Sequence, residues 1–137
     1  MKRMVLLLAL LAVAVVASSA MARPPYRVQA IKQLQLAADA GDVRTVTCQY
    51  CHVNPGGGAP WNVWGENVRS NFKGNISEAL FEAVKAMKDS DGDGYEDALE
   101  IFAGTLPGDP ASKPNKDKAA LKASFDKAGG VDMFKAQ

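Results

Sequence analysis

The sequence predicts an all-α domain, on three observations. Apolar residues recur at three- and four-residue spacing in separate stretches. No stretch alternates apolar and polar residues over a useful length. Glycine, proline and capping residues separate the helical stretches. After an extended lead-in, Arg23-Pro24-Pro25, the residues Val28, Ile31, Leu34 and Ala38 mark an amphipathic helix over Tyr26–Ala40, closed by Gly41. Residues 42–46 are a connector, and "PGGGAP" at 55–60 holds no regular structure. Trp64, Val68 and Phe72 form the next stripe, which Gly65 leaves partly open and Lys73-Gly74 ends. Asn75-Ile76-Ser77-Glu78 reads as a capping box, so Asn75 serves as a cap although it also opens a glycosylation sequon. Leu80, Phe81, Val84 and Met87 give the face of the helix it starts. A shorter helix runs through Ile101 and Phe102 to Gly104, and "TLPGDPASKP" is a loop. Lys116–Ala128 forms the last helix, with Leu121 and Phe125 apolar and Gly129-Gly130 closing it. Residues 129–137 are then a short tail, either swung in against the domain or disordered.

The N-terminus reads as a signal for export. Lys2 and Arg3 precede an unbroken apolar run, Val5–Val16, and small residues lead to Ala20 and Ala22. Cleavage is expected after Ala22, with Ala20 as the second choice. No cysteine lies nearby to take a lipid. The mature chain is expected as one domain over residues 23–137, periplasmic or secreted, with no stable membrane span. The full chain has 16 Lys+Arg against 15 Asp+Glu, so losing Lys2 and Arg3 leaves it near neutral. That balance gives no sign of nucleic-acid binding. The acids concentrate in Asp89–Glu100, and the remainder is mildly basic. Many apolar residues are alanine, so the core is thin and a cofactor or metal is expected to support it.

Both cysteines and the only histidine fall together in "CQYCH", as Cys48, Cys51 and His52. Structural zinc wants four ligands, and this cluster offers three. A thiol-redox pair sits on a strand-rich fold that this chain lacks. A disulfide across so small a loop would add little stability. The remaining reading is C-x-x-C-H, the attachment signature of c-type haem. Two thiols reach two vinyl groups on one porphyrin edge. Cys48 and His52, four residues apart, share a face of a helical turn, so the imidazole can meet the iron. His52 is the proximal ligand on this reading. The sixth position falls to Met87 before Met133, the other methionine of the mature chain, and a methionine ligand would raise the potential. Trp61 and Trp64 are expected to wall the pocket.

"DSDGDGYEDALE", residues 89–100, matches the twelve-residue calcium loop. Asp89, Asp91 and Asp93 take positions 1, 3 and 5, and Gly94 allows the turn. Tyr95 offers its backbone carbonyl, Asp97 binds directly or through water, and Glu100 closes the site. Calcium wants six to eight oxygens, and carboxylates this close repel one another without a cation. A single loop points to a structural clip.

The export signal, "CQYCHVNPGGGAPWNVWG" and "DSDGDGYEDALEIFAGTLPGDPAS" together resemble small bacterial monohaem c-type cytochromes that carry a thrombospondin type 3-like (EF-hand-like) calcium repeat. The likeness runs from Cys48 to Ser112. It departs from class I cytochrome c in lacking a late methionine loop. It implies a cytochrome c-like helical fold, one covalent haem c, one Ca2+ and one-electron transfer with redox partner proteins. Two other expectations stand beside it. One is a haem-based gas sensor or peroxidase-like protein, which would need an open sixth site and a distal acid or base. The other is a calcium-binding module without haem, its cysteines in a disulfide.

Overall fold

The computed structural model describes residues 24–36 and 47–136. The export signal, the 42–46 connector and Ala38 lie outside the described residues. Among the described residues there are five α-helices and no strand: α1 (Pro24–Gln33), α2 (Val63–Ser70), α3 (Ile76–Lys85), α4 (Asp97–Ala103) and α5 (Lys118–Lys127). Two 3-10 turns, Cys48–Tyr50 and Gly130–Phe134, complete the order. The all-α expectation holds. No helix among the described residues is long and apolar enough to cross a membrane.

α1 departs from expectation at both ends. Pro24 and Pro25 form its first turn, where proline's missing N–H goes unneeded. The helix stops at Gln33, and Gln35 is left-handed at φ 53°. Leu34 and Leu36 are buried from the turn that follows, with Ala30 behind them, while Val28 is 63% exposed. Gln33 holds this corner, its amide donating to Ser77 O at 2.9 Å and Phe134 O at 3.1 Å.

α3 is the centre of the bundle and packs against α1, α2, α4 and the C-terminal turn. Asn75 caps it, accepting from the N–H groups of Ser77 at 2.9 Å and Glu78 at 3.4 Å. Ala79, Leu80, Ala83 and Val84 are buried. Phe81 is half-buried, with the Lys85 and Lys135 ammonium groups each 5.9 Å from its ring. Phe72 falls beyond the end of α2 and rests on the Tyr26 ring at 5.7 Å, rather than continuing the Trp64–Val68 stripe inward. α5 starts at its cap Asp117 and buries Leu121 and Phe125. Residues 130–134 form a packed turn, not a loose tail. Phe134 is buried 6.2 Å from the Phe125 ring, and Gln35 donates to Met133 O at 3.0 Å.

Gly65 is a close approach, not a gap. A Cβ there would run into the Cys51 carbonyl oxygen, so only glycine lets α2 lie against the cysteine turn. Gly65→Ala is expected to destabilise the chain by about 1–3 kcal/mol through overpacking against backbone. Gly56→Ala, which meets nothing within 4 Å, should leave stability unchanged. Denaturant unfolding of both variants checks the contrast.

Candidate functional site

The cysteine turn forms as its spacing requires. His52 N donates to Cys48 O at 2.9 Å and Cys51 N to the same oxygen at 3.2 Å. Cys48 and His52 therefore share one helical turn, and neither cysteine is in a disulfide. His52 then enters a short antiparallel bridge with Trp61, supported by Val53 N donating to Pro60 O at 3.0 Å and Asn62 N to Cys51 O at 3.1 Å. The loop between them returns its Gly58 carbonyl to His52 Nδ1 at 2.6 Å. Gly57 and Gly58 have φ of 80° and 77°, which explains the glycine run. A carbonyl only accepts, so a proton sits on Nδ1, and in the neutral ring Nε2 carries the lone pair. The Trp61 ring lies against the imidazole, tilted by 34°, with centroids 4.0 Å apart.

The floor beneath the turn is Tyr50 and Trp64, both buried. Burial pushes the Cys51 thiol up to about 12. The Trp64 indole N–H offsets part of that rise, although it makes no hydrogen bond of good geometry. This is opposite to the lowered thiol of a redox pair.

Asn62 holds the turn to the rest of the chain, and sequence reading did not single it out. Its Nδ2 donates to Gln49 O at 3.0 Å and Tyr50 O at 3.1 Å, and its Oδ1 caps α2 by accepting from Gly65 N at 2.7 Å. A Cβ on Gly108 would stand 2.8 Å from the Asn62 side chain, so the "PGDP" loop lies directly against it. The available signal was an asparagine one residue before a helical stripe.

The acidic loop is built on its own backbone. Asp89 accepts from Gly92 N at 2.7 Å and Gly94 N at 2.9 Å, Asp91 from Asp93 N at 3.2 Å, and Asp93 from Tyr95 N at 2.9 Å. Gly94 has φ 102°, as the turn demands. Asp89, Asp91 and Asp93 bring carboxylate oxygens within 4.8 Å of one another. Glu100 has no exposed surface, and one of its oxygens accepts weakly from Thr105 Oγ1 at 3.4 Å. Its other oxygen is buried without a donor, as is one oxygen each of Asp91 and Asp93. A hard cation is the partner that suits oxygens with lone pairs and no N–H. The residues present fit calcium.

Asp97, expected as a calcium ligand, is placed as a brace. It accepts from Ser90 N at 2.9 Å, Ser90 Oγ at 2.7 Å and Asn67 Nδ2 at 3.1 Å, tying the loop to α2. Tyr95 reaches outward, its hydroxyl donating to Lys116 O at 2.7 Å. Met87 follows α3 in a left-handed conformation, φ 48°, half-buried against the core at the entrance to the loop. Met133 is likewise half-buried against the core from the C-terminal turn.

Charge follows from this packing. Burial, then the charges of Asp91, Asp93 and Asp97, raise the Glu100 carboxyl to about 9. Burial raises Asp97 to about 6 against the Ser90 and Asn67 donors. Asp91 is raised by burial and by Asp93, Asp89 and Asp109. The chain matches no family model, no curated protein and no solved structure.

A carboxyl that holds its proton more tightly when folded favours the fold at low pH, and that contribution fades as pH rises through the folded value. In chelator, the melting temperature is therefore expected to fall from the ordinary glutamate value of 4.5 toward about 9. Millimolar calcium should flatten the slope. Glu100→Gln should raise stability in chelator and abolish the calcium response. Calorimetry across that pH range reads both.

Proposed function

We propose that the chain is an exported c-type cytochrome, a one-electron carrier with a structural calcium site. Cys48 and Cys51 would hold one haem covalently through thioethers, and His52 Nε2 would be the proximal iron ligand. The observation that carries this reading is the His52 ring. Its Nδ1–H is given to Gly58, so the opposite nitrogen is the one available to a metal, on the same turn as both thiols. When bound, the haem supplies an iron that alternates between ferrous and ferric states. The chain's own part is to orient the imidazole with Gly58 and Trp61, and to raise its basicity through the Gly58 bond. Tyr50 and Trp64 keep water from the floor.

Met87 is the sixth ligand in this proposal, which suits electron transfer better than gas binding. A peroxidase-like or gas-sensing protein would want a distal acid or base, and His52 is the only histidine. Calcium, on Asp89, Asp91, Asp93, Glu100 and the Tyr95 carbonyl with Asp97 behind them, would clip α3 to α4. The partners are redox proteins of the periplasm or cell exterior. A calcium module without haem is the second reading. It is favoured by the buried, donorless oxygens of the acidic loop, which need no contribution from the cysteine turn.

Expression with a cytochrome-maturation system is expected to yield a red protein, with covalent haem seen by mass and by sharp reduced-state bands. The Cys48→Ala, Cys51→Ala double variant should lose the chromophore. Ferrous wild type should ignore carbon monoxide, whereas Met87→Ala should bind it and shift its spectrum. A colourless wild type rejects the cytochrome and leaves the calcium module.

A further inference from the structure

The two candidate sites are built against each other. Asn67, buried on α2, donates to Asp97 beside the acidic loop, and Asn62 at the start of the same helix grips the cysteine turn through the Gln49 and Tyr50 carbonyls. One short helix thus has an asparagine in one site and its capping asparagine in the other. The loop after α4 makes a second bridge: Gly108 lies under the Asn62 side chain, while its neighbour Asp109 is near enough to Asp91 to raise that carboxyl. Tyr50 makes a third. It is 4% exposed, its hydroxyl finds no partner, and burial first, then the charges of Cys51, Glu100 and Asp97, push that hydroxyl up.

We propose that Tyr50, Asn62 and Asn67 couple the acidic loop to the Cys48–His52 turn, so that calcium in the loop resets the turn that carries the thiols and the imidazole. The inference rests on the cytochrome reading and deepens it. The element that both sites bias is the loop with the first turn of α4. Without a cation, Asp91, Asp93 and Glu100 repel one another; with one, they are drawn together. Asp97 rides on the same helical turn as Glu100, and Asn67 passes its displacement to α2. Gly65, in contact with the Cys51 carbonyl, leaves no slack between α2 and the cysteine turn. Binding free energies linked in this way are reciprocal, so the iron's oxidation state must alter calcium affinity by the factor with which calcium alters the iron.

The test is the midpoint potential of the full haem-loaded chain in millimolar calcium and in chelator, with melting followed in parallel. Added positive charge beside the iron favours the ferrous state. Calcium is expected to bind the ferrous form about fivefold tighter, the lower end of usual coupling, which is a rise of about 40 mV at 59 mV per tenfold for one electron. Asn67→Ala should lose at least half of that shift. Tyr50→Phe, which removes only a partnerless hydroxyl and keeps the ring, should also reduce it while melting in calcium is unchanged. Equal potentials in calcium and chelator overturn the proposal, as does a melting temperature indifferent to calcium. A full shift in both variants overturns the assignment to these residues. If the secreted chain is colourless, the cytochrome reading has failed separately, and the coupling is read at the thiols. Calcium should then slow alkylation of Cys51 about fivefold, and an unchanged rate overturns it.

Discussion

A carboxylate with no exposed surface and an oxygen with no donor is the constraint around which this chain is arranged. Glu100 lies in the buried stretch of α4 with Ala98, Leu99 and Ile101, so withdrawing it to solvent would unpack the helix. It cannot be left charged and unpartnered at neutral pH, because the desolvation of an isolated carboxylate is too large for a small domain to absorb. Either a proton or a cation must accompany it. Asp91 and Asp93 each direct a further orphan oxygen into the same buried surroundings. One proton relieves one group, whereas a divalent cation relieves all of them. The loop is thus shaped by its own backbone N–H bonds into a form that is electrostatically incomplete.

The cysteine turn depends on polar contacts in a different way. The cysteine turn is three residues of 3-10 helix followed by a single bridge pair. Its fixity comes from Asn62, which satisfies two of its carbonyls and caps the next helix with the same side chain. The imidazole is oriented from the opposite side by Gly58 and Trp61. A polar knot of this kind gives direction where apolar packing would give only proximity.

Much of the architecture was legible in the residues, and the failures have physical causes. Helices α3 and α5 followed from clean apolar stripes and from Asn75 capping. The turn at residues 89–95 was legible because spaced aspartates fold back on their own backbone N–H groups around Gly94. The first helix was misread in length and at Val28, since a leucine-rich stretch buries equally well from a turn, as Leu34 and Leu36 do. Gly65 looked like a gap because a stripe on one helix says nothing about a backbone crossing it. Asn67 could have been noticed, being polar and on the buried side between Trp64 and Val68. Tyr50 and the Asn62–Gly108 contact had no local signature, because they arise only when distant segments meet.

Gln33 has a bearing on the order in which the chain assembles. Its amide is shared between carbonyls at residues 77 and 134, the latter 101 positions away. Synthesis proceeds from the amino end, so this buried side chain has an incomplete set of acceptors until residue 134 has emerged. The corner of α1 against α3 is therefore sealed late, by contacts of high sequence separation. The last residues of the chain, and not the helix that carries Gln33, thus decide when its amino-terminal corner closes.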